Sequence, residues 1–394
     1  MTIIVTNQNL SSVKHLNYAD KTNQGSFYTP KHIVKLTYEL LKKSGGNKDI
    51  DTILEPSCGY GAYIDFDQFG NKTRFIGADI DESALKVAKS IFPNVKFFNH
   101  NALCNISRDK YGIGNNESLV IVGNPPYNDT TSHVKNNIKK DFVYNVDKDI
   151  ITRDLGLSSL LAYNKLNPEY IAVLHPLSYL IKKTNFNLLK PLMKRYLLKE
   201  ALVFNSQEFS DTSKMTGFPI VIAVYERNSI GTTYDDIYNR VFRTIEGRSF
   251  SLAKFDYISN YISKYPGKIK KDNFEGYLFY TMRDINALKR CRTFICENIP
   301  NAIQVDRNKI DYYHYADVFK EFAKKHLPYY MGNLDIPIDN DLFLKNRNEF
   351  RTISEARHPE IFNKIINDED ILKAKIAVGN YFRNLFSELY LTKE

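Results

Sequence analysis

Cysteine is scarce: the 394 residues hold four, Cys58, Cys104, Cys291 and Cys296. Only the last two lie close together, and their CxxxxC spacing has no nearby histidine. That is not zinc-binding spacing, no metal is implied, and free thiols in a reducing cytoplasm are expected. The opening stretch, MTIIVTNQNLSSVKHLNYAD, lacks a basic segment followed by an apolar one, so no secretory signal peptide is expected. No apolar run approaches the length of a membrane span. Internal repeats and low-complexity blocks are absent from the sequence as well. These absences point to a cytoplasmic globular protein.

What the chain does have is length, apolar content and positive charge. Its 394 residues suit two domains, and 43% hydrophobic residues suffice to build real cores. The net charge is +9, with a pI near 9.0. Such a balance suits a polyanionic partner, although charge alone does not separate nucleic acid from a membrane surface.

Residues 1 to about 24 are polar and read as a loose arm. The next segment, FYTPKHIVKLTYELLKKSGG, reads as a helix. Thr29 can cap it, Pro30 suits its first position, and the double glycine ends it. TILEP, TRFIGADI, VKFFNHNAL and SLVIVGNPPY follow as strands, with a helix at ESALKVAKSIF and a glycine turn, SCGYGAYI, opening towards another. Further on, SSLLAYNKLN and NFNLLKPLMKRYLL read as helical, and EYIAVLHP, EALVFNS and FPIVIAVYER as strands. Strands alternating with helices predict an α/β fold, a Rossmann-like parallel sheet covered on both faces. After Arg227 the texture changes, and NSIGTTYDD reads as a linker. The expected domains are residues 1–228 and 229–394.

Three features of the first domain carry chemistry. In ILEPSCGYGAYI, Gly59 and Gly61 come straight after a strand, where glycine lets the backbone turn tightly and approach a ligand. A helix N-terminus beyond the turn would favour a negative group. Glu55, just before the loop, would repel a pyrophosphate, and the third glycine of a dinucleotide loop is missing. A ligand with an ammonium group, a ribose and no phosphate fits better, which describes S-adenosylmethionine. Asp79, at the end of FIGADID, can accept both ribose hydroxyls. Asn124, Pro125, Pro126 and Tyr127 then end the fourth strand in a rigid shelf. The Asn124 amide oxygen and the fixed Pro125 carbonyl are two acceptors side by side, matching an amine with two hydrogens. The Tyr127 ring offers a stacking face for a planar base.

These stretches resemble the S-adenosylmethionine-dependent amino-methyltransferases that act on DNA adenine. The likeness lies with the group that runs cofactor loop, shelf, then a C-terminal target-recognition domain. NQGSFYTP resembles the family's N-terminal cofactor motif, LEPSCGYG its main cofactor motif, GADID its ribose motif and NPPY its catalytic motif. The likeness covers roughly residues 22–228. It implies a class I methyltransferase sheet with S-adenosylmethionine as cofactor. It further implies a cofactor site built from Tyr28, Thr29, Pro30, Glu55, Ser57, Gly59, Asp79, Ile80, Asn101 and Ala102. Thr29 and Glu55 would approach the methionine part, Asp79 the ribose, and Ile80 the adenine ring. The family usually carries an aspartate where this chain has Asn101, which keeps an acceptor oxygen without the charge. Asn124, Pro125, Pro126 and Tyr127 would form the catalytic shelf for a flipped-out adenine. Phe209, in NSQEFSD, sits where the family often has an aromatic beside that base, and it also reads as an ordinary core residue. For Cys58 a small residue in a tight turn is the favoured reading, since no adjacent base would activate its thiol.

Residues 240–292 contain twelve Lys or Arg against five Asp or Glu, with aromatics interleaved. Lys268, Lys270 and Lys271 form the densest cluster, a candidate phosphate contact. The expected partner is double-stranded DNA; a restriction-modification pair with a restriction endonuclease, a solitary methylase and a phage product all stay open. Monomer and homodimer both stay open. Two alternatives keep the fold: a methyltransferase for RNA or for protein glutamine, and an inactive methyltransferase-like specificity subunit.

Overall fold

A computed structural model describes residues 29–69, 72–127, 145–209, 217–267 and 276–387. Tyr28, Lys268, Lys270 and Lys271 lie outside the described residues. The chain divides into two compact units, residues 1–237 with 242–246, and residues 238–241 with 247–394.

The first unit is built on strands β1 (Thr52–Glu55), β2 (Arg74–Asp79), β3 (Lys96–Asn99), β4 (Leu119–Gly123), β5 (Tyr170–Pro176), β6 (Tyr196–Asn205), β7 (Pro219–Arg227) and β8 (Phe242–Thr244). Their order in the sheet is β3-β2-β1-β4-β5-β7-β6-β8. The pairs from β3 to β5 are parallel. β7 runs antiparallel to both β5 and β6. This is a Rossmann-like α/β sheet, the fold class expected from the sequence. The order reverses between β1 and β4, the place where ligands sit in such sheets. β4 and the middle of β5 are fully buried, as continuous apolar runs in a sheet covered on both faces should be. β3, at the edge, has a half-exposed pattern.

Helix α1 (Lys31–Lys43) buries Ile33, Val34, Thr37, Tyr38 and Leu41, one stripe at helical spacing, and packs on β5 and β7. Thr29 does not cap it. The capping position is Pro30, in extended backbone with no side-chain cap. Helix α2 (Glu82–Ile91) is capped by Asp81, which accepts from the Ser83 and Ala84 amides. Helix α3 (Leu155–Leu166) is buried on nearly every side and is capped by Asp154.

Three local expectations are corrected. No α-helix follows the glycine turn: residues 56–63 are loop and turn, and only a short 3-10 turn, Phe66–Gln68, comes after. Gly59 and Gly61 adopt φ of +50° and +83°, left-handed values that break a helix at its start. The helical segment expected at NFNLLKPLMKRYLL ends at Met193. Its last residues join β6 because Tyr196, Leu197 and Leu198 pair with β7, so tertiary pairing overrides local propensity. The segment read as a linker leads back to the sheet, where β8 pairs with β6.

In the second unit, Tyr277–Tyr280 pairs with Phe294–Ile295 and Ala302–Val305 in an antiparallel sheet. Helix α4 (Ile310–His326) packs on α5 (Arg347–Arg357), and α5 packs on α6 (Asp368–Phe386). Phe279, Phe294, Tyr315, Phe319, Phe350, Tyr381 and Phe382 are buried there. Many of the aromatics interleaved with basic residues are therefore core.

His314 on α4 is fully buried, between Phe294 and Phe362 at centroid distances of 5.1 and 5.0 Å. Neither ring nitrogen has a hydrogen-bond partner among the described residues. Burial pushes the imidazole down from 6.5 to about 4, against the pull of Asp311 and Asp317 and with the push of Arg351 and Lys364. The folded value lies below the unfolded one, so the unfolded chain binds the extra proton in between. The stability contribution is therefore present above pH 6.5 and lost as pH falls towards 4. His314→Leu should leave the thermal midpoint at neutral pH unchanged or raised, and should shrink its drop over that acid window. Midpoints measured across a pH series decide, and a parent-like drop in the variant would clear His314 of the acid sensitivity.

Candidate active site

The carboxyl ends of β1, β2 and β4 bring Glu55, Asp79 and Asn124 to one edge of the sheet. β1 sits between the other two.

Glu55 is 4% exposed. It accepts from the Tyr63 backbone N–H, while its buried Oε2 has no hydrogen-bond partner among the described residues. Burial holds its carboxyl well above the ordinary range, and the charge of Asp79 adds to the rise. A buried carboxylate oxygen with no partner is costly. A cationic donor arriving with a ligand would remove that cost. Glu55 also lies against the shelf strand: a Cβ built on Gly123 would come within 3.5 Å of Glu55 Cγ. Gly123 has φ of +145° and immediately precedes Asn124.

Asp79 works first on the loop. Its Oδ2 accepts from the Gly59 N–H at 2.8 Å and its Oδ1 from the Asp81 N–H at 2.9 Å. Burial raises its pKa while these two backbone bonds pull it back. The carboxylate therefore pins the glycine turn to the end of β2 and has lone pairs to spare for a diol. Ile80, next along, is 56% exposed, an apolar side chain presented at the site's rim. The Asn99 amide donates to the carbonyls of Asp79 and Ile80 at 3.1 and 3.0 Å.

Ser57, in the loop, lies beside the buried Tyr163 of α3 and draws its phenol down against the rise from burial. Cys58 is 3% exposed. Its N–H donates to the Ala78 carbonyl at 2.9 Å, and burial pushes its thiol well up, so it has no nucleophilic character. Thr29 lies with Thr37 beside the buried Tyr63, whose hydroxyl has no hydrogen-bond partner among the described residues. Pro30 accepts from the Ile33 and Val34 amides and so starts α1. Asn101 is tied to its own segment. Its amide oxygen accepts from Leu103 N–H at 2.9 Å, and its amide nitrogen donates to the Asn145 carbonyl at 2.8 Å. Ala102 beside it is half-buried.

On the shelf, Pro125 is buried, and Asn124, Pro126 and Tyr127 are half-buried. The buried Tyr127 hydroxyl has no hydrogen-bond partner among the described residues, and burial pushes its phenol up. The amide oxygen is the acceptor end of the Asn124 side chain. The Tyr127 ring rests on a cluster of Ile33, Leu174, Phe204, Phe209, Ile220 and Ile222.

Phe209 is corrected from base neighbour to core. It is 2% exposed and meets Phe204 edge-on at 5.7 Å. Its ring supports the cluster under Tyr127 and is not presented to a base. Tyr63 and Tyr163 are the site residues that sequence reasoning missed. Tyr63 follows the glycine turn closely enough to have been suspected, whereas nothing local marks Tyr163 on an apolar helix.

Among solved structures, the chain is similar to a candidate class I S-adenosylmethionine-dependent methyltransferase from Listeria monocytogenes. The two are 13% identical, with 60% of this chain and 69% of that one covered and a TM-score of 0.41. It is similar to TrmN from Thermus thermophilus at 17% identity, covering 50% of this chain and 49% of that one, TM-score 0.33. It is also similar to the N-methyltransferase NodS from Bradyrhizobium japonicum, solved with S-adenosyl-L-homocysteine. That likeness has 12% identity, 53% and 97% coverage and a TM-score of 0.31. No curated protein matches the chain. Residues 13–182, which hold the glycine turn, the acidic strand end and the shelf, match the N-6 DNA methylase family.

Proposed function

We propose that the protein transfers a methyl group from S-adenosylmethionine to the N6 amine of an adenine flipped out of DNA. The observation that carries this reading is the contact between the two halves of the site. Glu55, with its unpartnered buried oxygen, packs against the strand end that becomes the Asn-Pro-Pro-Tyr shelf. A site for a cationic amino acid head and a site for a planar amine thus share a wall. The family match over residues 13–182 supports the same chemistry.

S-adenosylmethionine, when bound, supplies an electrophilic methyl on a sulfonium. Glu55 would hold the ammonium of its amino acid part, Asp79 the ribose and Ile80 a face of the adenine. The Asn124 oxygen and Pro125 carbonyl accept the two hydrogens of the target amine. This fixes the nitrogen and stabilises the positive charge that develops on it during transfer. Tyr127 stacks the base. The methyl passes directly, with no covalent enzyme intermediate. In the second unit, the exposed Arg283, Arg290 and Arg292 join Lys268, Lys270 and Lys271 in our proposal as phosphate contacts that grip the duplex.

Single-molecule sequencing of DNA from cells expressing the protein tests the reading, reporting base, position and motif together. Labelled cofactor offered with DNA, RNA or protein is the companion measurement, and label in RNA or protein alone would overturn the DNA assignment.

The raised carboxyl of Glu55 makes a separate prediction. A ligand ammonium favours the ionised form, so binding should release a proton where free Glu55 is still protonated. Cofactor affinity should then fall as pH drops through the raised value. Calorimetry in buffers of different ionisation enthalpy should detect the proton in the parent. Glu55→Gln should bind about tenfold or more weakly, with no such release, the scale for losing one charge-assisted hydrogen bond. Parent-like proton release in the variant would assign it to another group.

A further inference from the structure

Behind the shelf lies a set of side chains from outside the four motifs. Tyr179 is 1% exposed, and its hydroxyl donates to Asp154 Oδ1. The same oxygen accepts from the Gly156 N–H at 2.9 Å, at the start of α3. The Tyr179 ring is stacked on His175 at 5.4 Å. His175 is fully buried and is held at both nitrogens. Nδ1 lies 3.0 Å from the Pro176 carbonyl, and Nε2 lies 2.8 Å from the Tyr225 hydroxyl. A carbonyl can only accept, so Nδ1 carries the hydrogen and Nε2 accepts from Tyr225. Burial keeps this ring neutral, down at about 4. Gly156 closes the set: a Cβ there would strike the Tyr179 hydroxyl and come within 2.9 Å of Tyr127 Cβ. Tyr179, Gly156 and the shelf tyrosine therefore meet at one point, with no room for a methyl group.

We propose that Tyr179, locked by Asp154 and backed by His175, and Gly156, which makes the space, are positioning residues that set the place of Tyr127 and through it the target base. The inference rests on the adenine methyltransferase reading above. None of these four residues belongs to the shelf itself. Their effect is geometric, and misplacing a reacting group by an ångström can cost up to about a hundredfold in rate.

The test is a double-mutant cycle on single-turnover methyl transfer, using DNA that carries the recognition sequence found by sequencing. Tyr179→Phe removes one hydroxyl and keeps the ring. It should slow transfer about tenfold in the parent background, with cofactor affinity unchanged as the check on folding. In a Tyr127→Ala background, where the positioned ring is gone, the same change should have almost no further effect. An equal cost in both backgrounds would mean that Tyr179 acts on general structure, and the proposal fails. A parent-like rate in Tyr179→Phe alone would also overturn it. Gly156→Ala should behave like Tyr179→Phe in both backgrounds, and its cofactor titration shows whether it folds. A parent protein that methylates no adenine would sink the activity reading, which separates that failure from a failure of the positioning role.

Discussion

Asn124→Ala is expected to lower single-turnover methyl transfer by about a hundredfold or more, while cofactor affinity stays within about twofold of the parent. In the proposed reaction the Asn124 oxygen accepts from the amine on which positive charge grows, so its worth would be greater in the transition state than in the bound complex. A hundredfold corresponds to about 2.7 kcal/mol, the scale for removing one preorganised partner of a developing charge. Asn124→Asp keeps an acceptor oxygen, so it should retain more activity than the alanine variant. Rapid-quench measurement with saturating cofactor separates chemistry from binding. A near-parent rate in Asn124→Ala would remove the shelf from the mechanism, whatever the sequence motif suggests.

Asp79→Ala should weaken cofactor binding about ten- to a hundredfold. Charge-assisted hydrogen bonds are worth about 1.5–3 kcal/mol, and tenfold in affinity is about 1.4 kcal/mol. The structure adds a second reason to the ribose argument. The carboxylate holds Gly59 N–H at 2.8 Å and Asp81 N–H at 2.9 Å, so its loss frees the glycine turn as well as the sugar. Asp79→Asn tests the division of labour. Its one amide oxygen can keep one backbone donor, while its NH2 group would face the other. An intermediate affinity is expected. DNA affinity measured without cofactor should barely move in either variant. Calorimetric titration of cofactor against parent, Asn and Ala forms gives the order. Unchanged binding in the alanine variant would show that the acidic end of β2 serves neither the loop nor the ligand.

The first unit was legible because its signals are local. Continuous apolar runs such as Leu119–Gly123 can only be buried strands, and their alternation with amphipathic helices leaves few topologies. Glu55, Asp79 and Asn124 each follow such a run directly, so strand order alone carries them to one edge of the sheet. Glycines at the turn were readable too, since Gly59 and Gly61 adopt backbone angles that other residues avoid. Other features depend on partners far away in the chain, and no local pattern encodes them. Residues 196–198 look helical until β7 offers its hydrogen bonds. Thr29 looks like a cap, yet the capping position falls on Pro30. Phe209 in NSQEFSD reads equally well as base neighbour or core, and only packing against Phe204 and Ile222 decides for the core. The sequence by itself determined the sheet and the edge to which Glu55, Asp79 and Asn124 come, because strand burial and turn chemistry are properties of short segments. The tertiary structure alone decided what stands behind Tyr127, which oxygen of Glu55 lacks a partner and what Asp79 already holds. Those are facts of desolvation and of contacts between residues distant in sequence, and both arise only when the chain closes on itself.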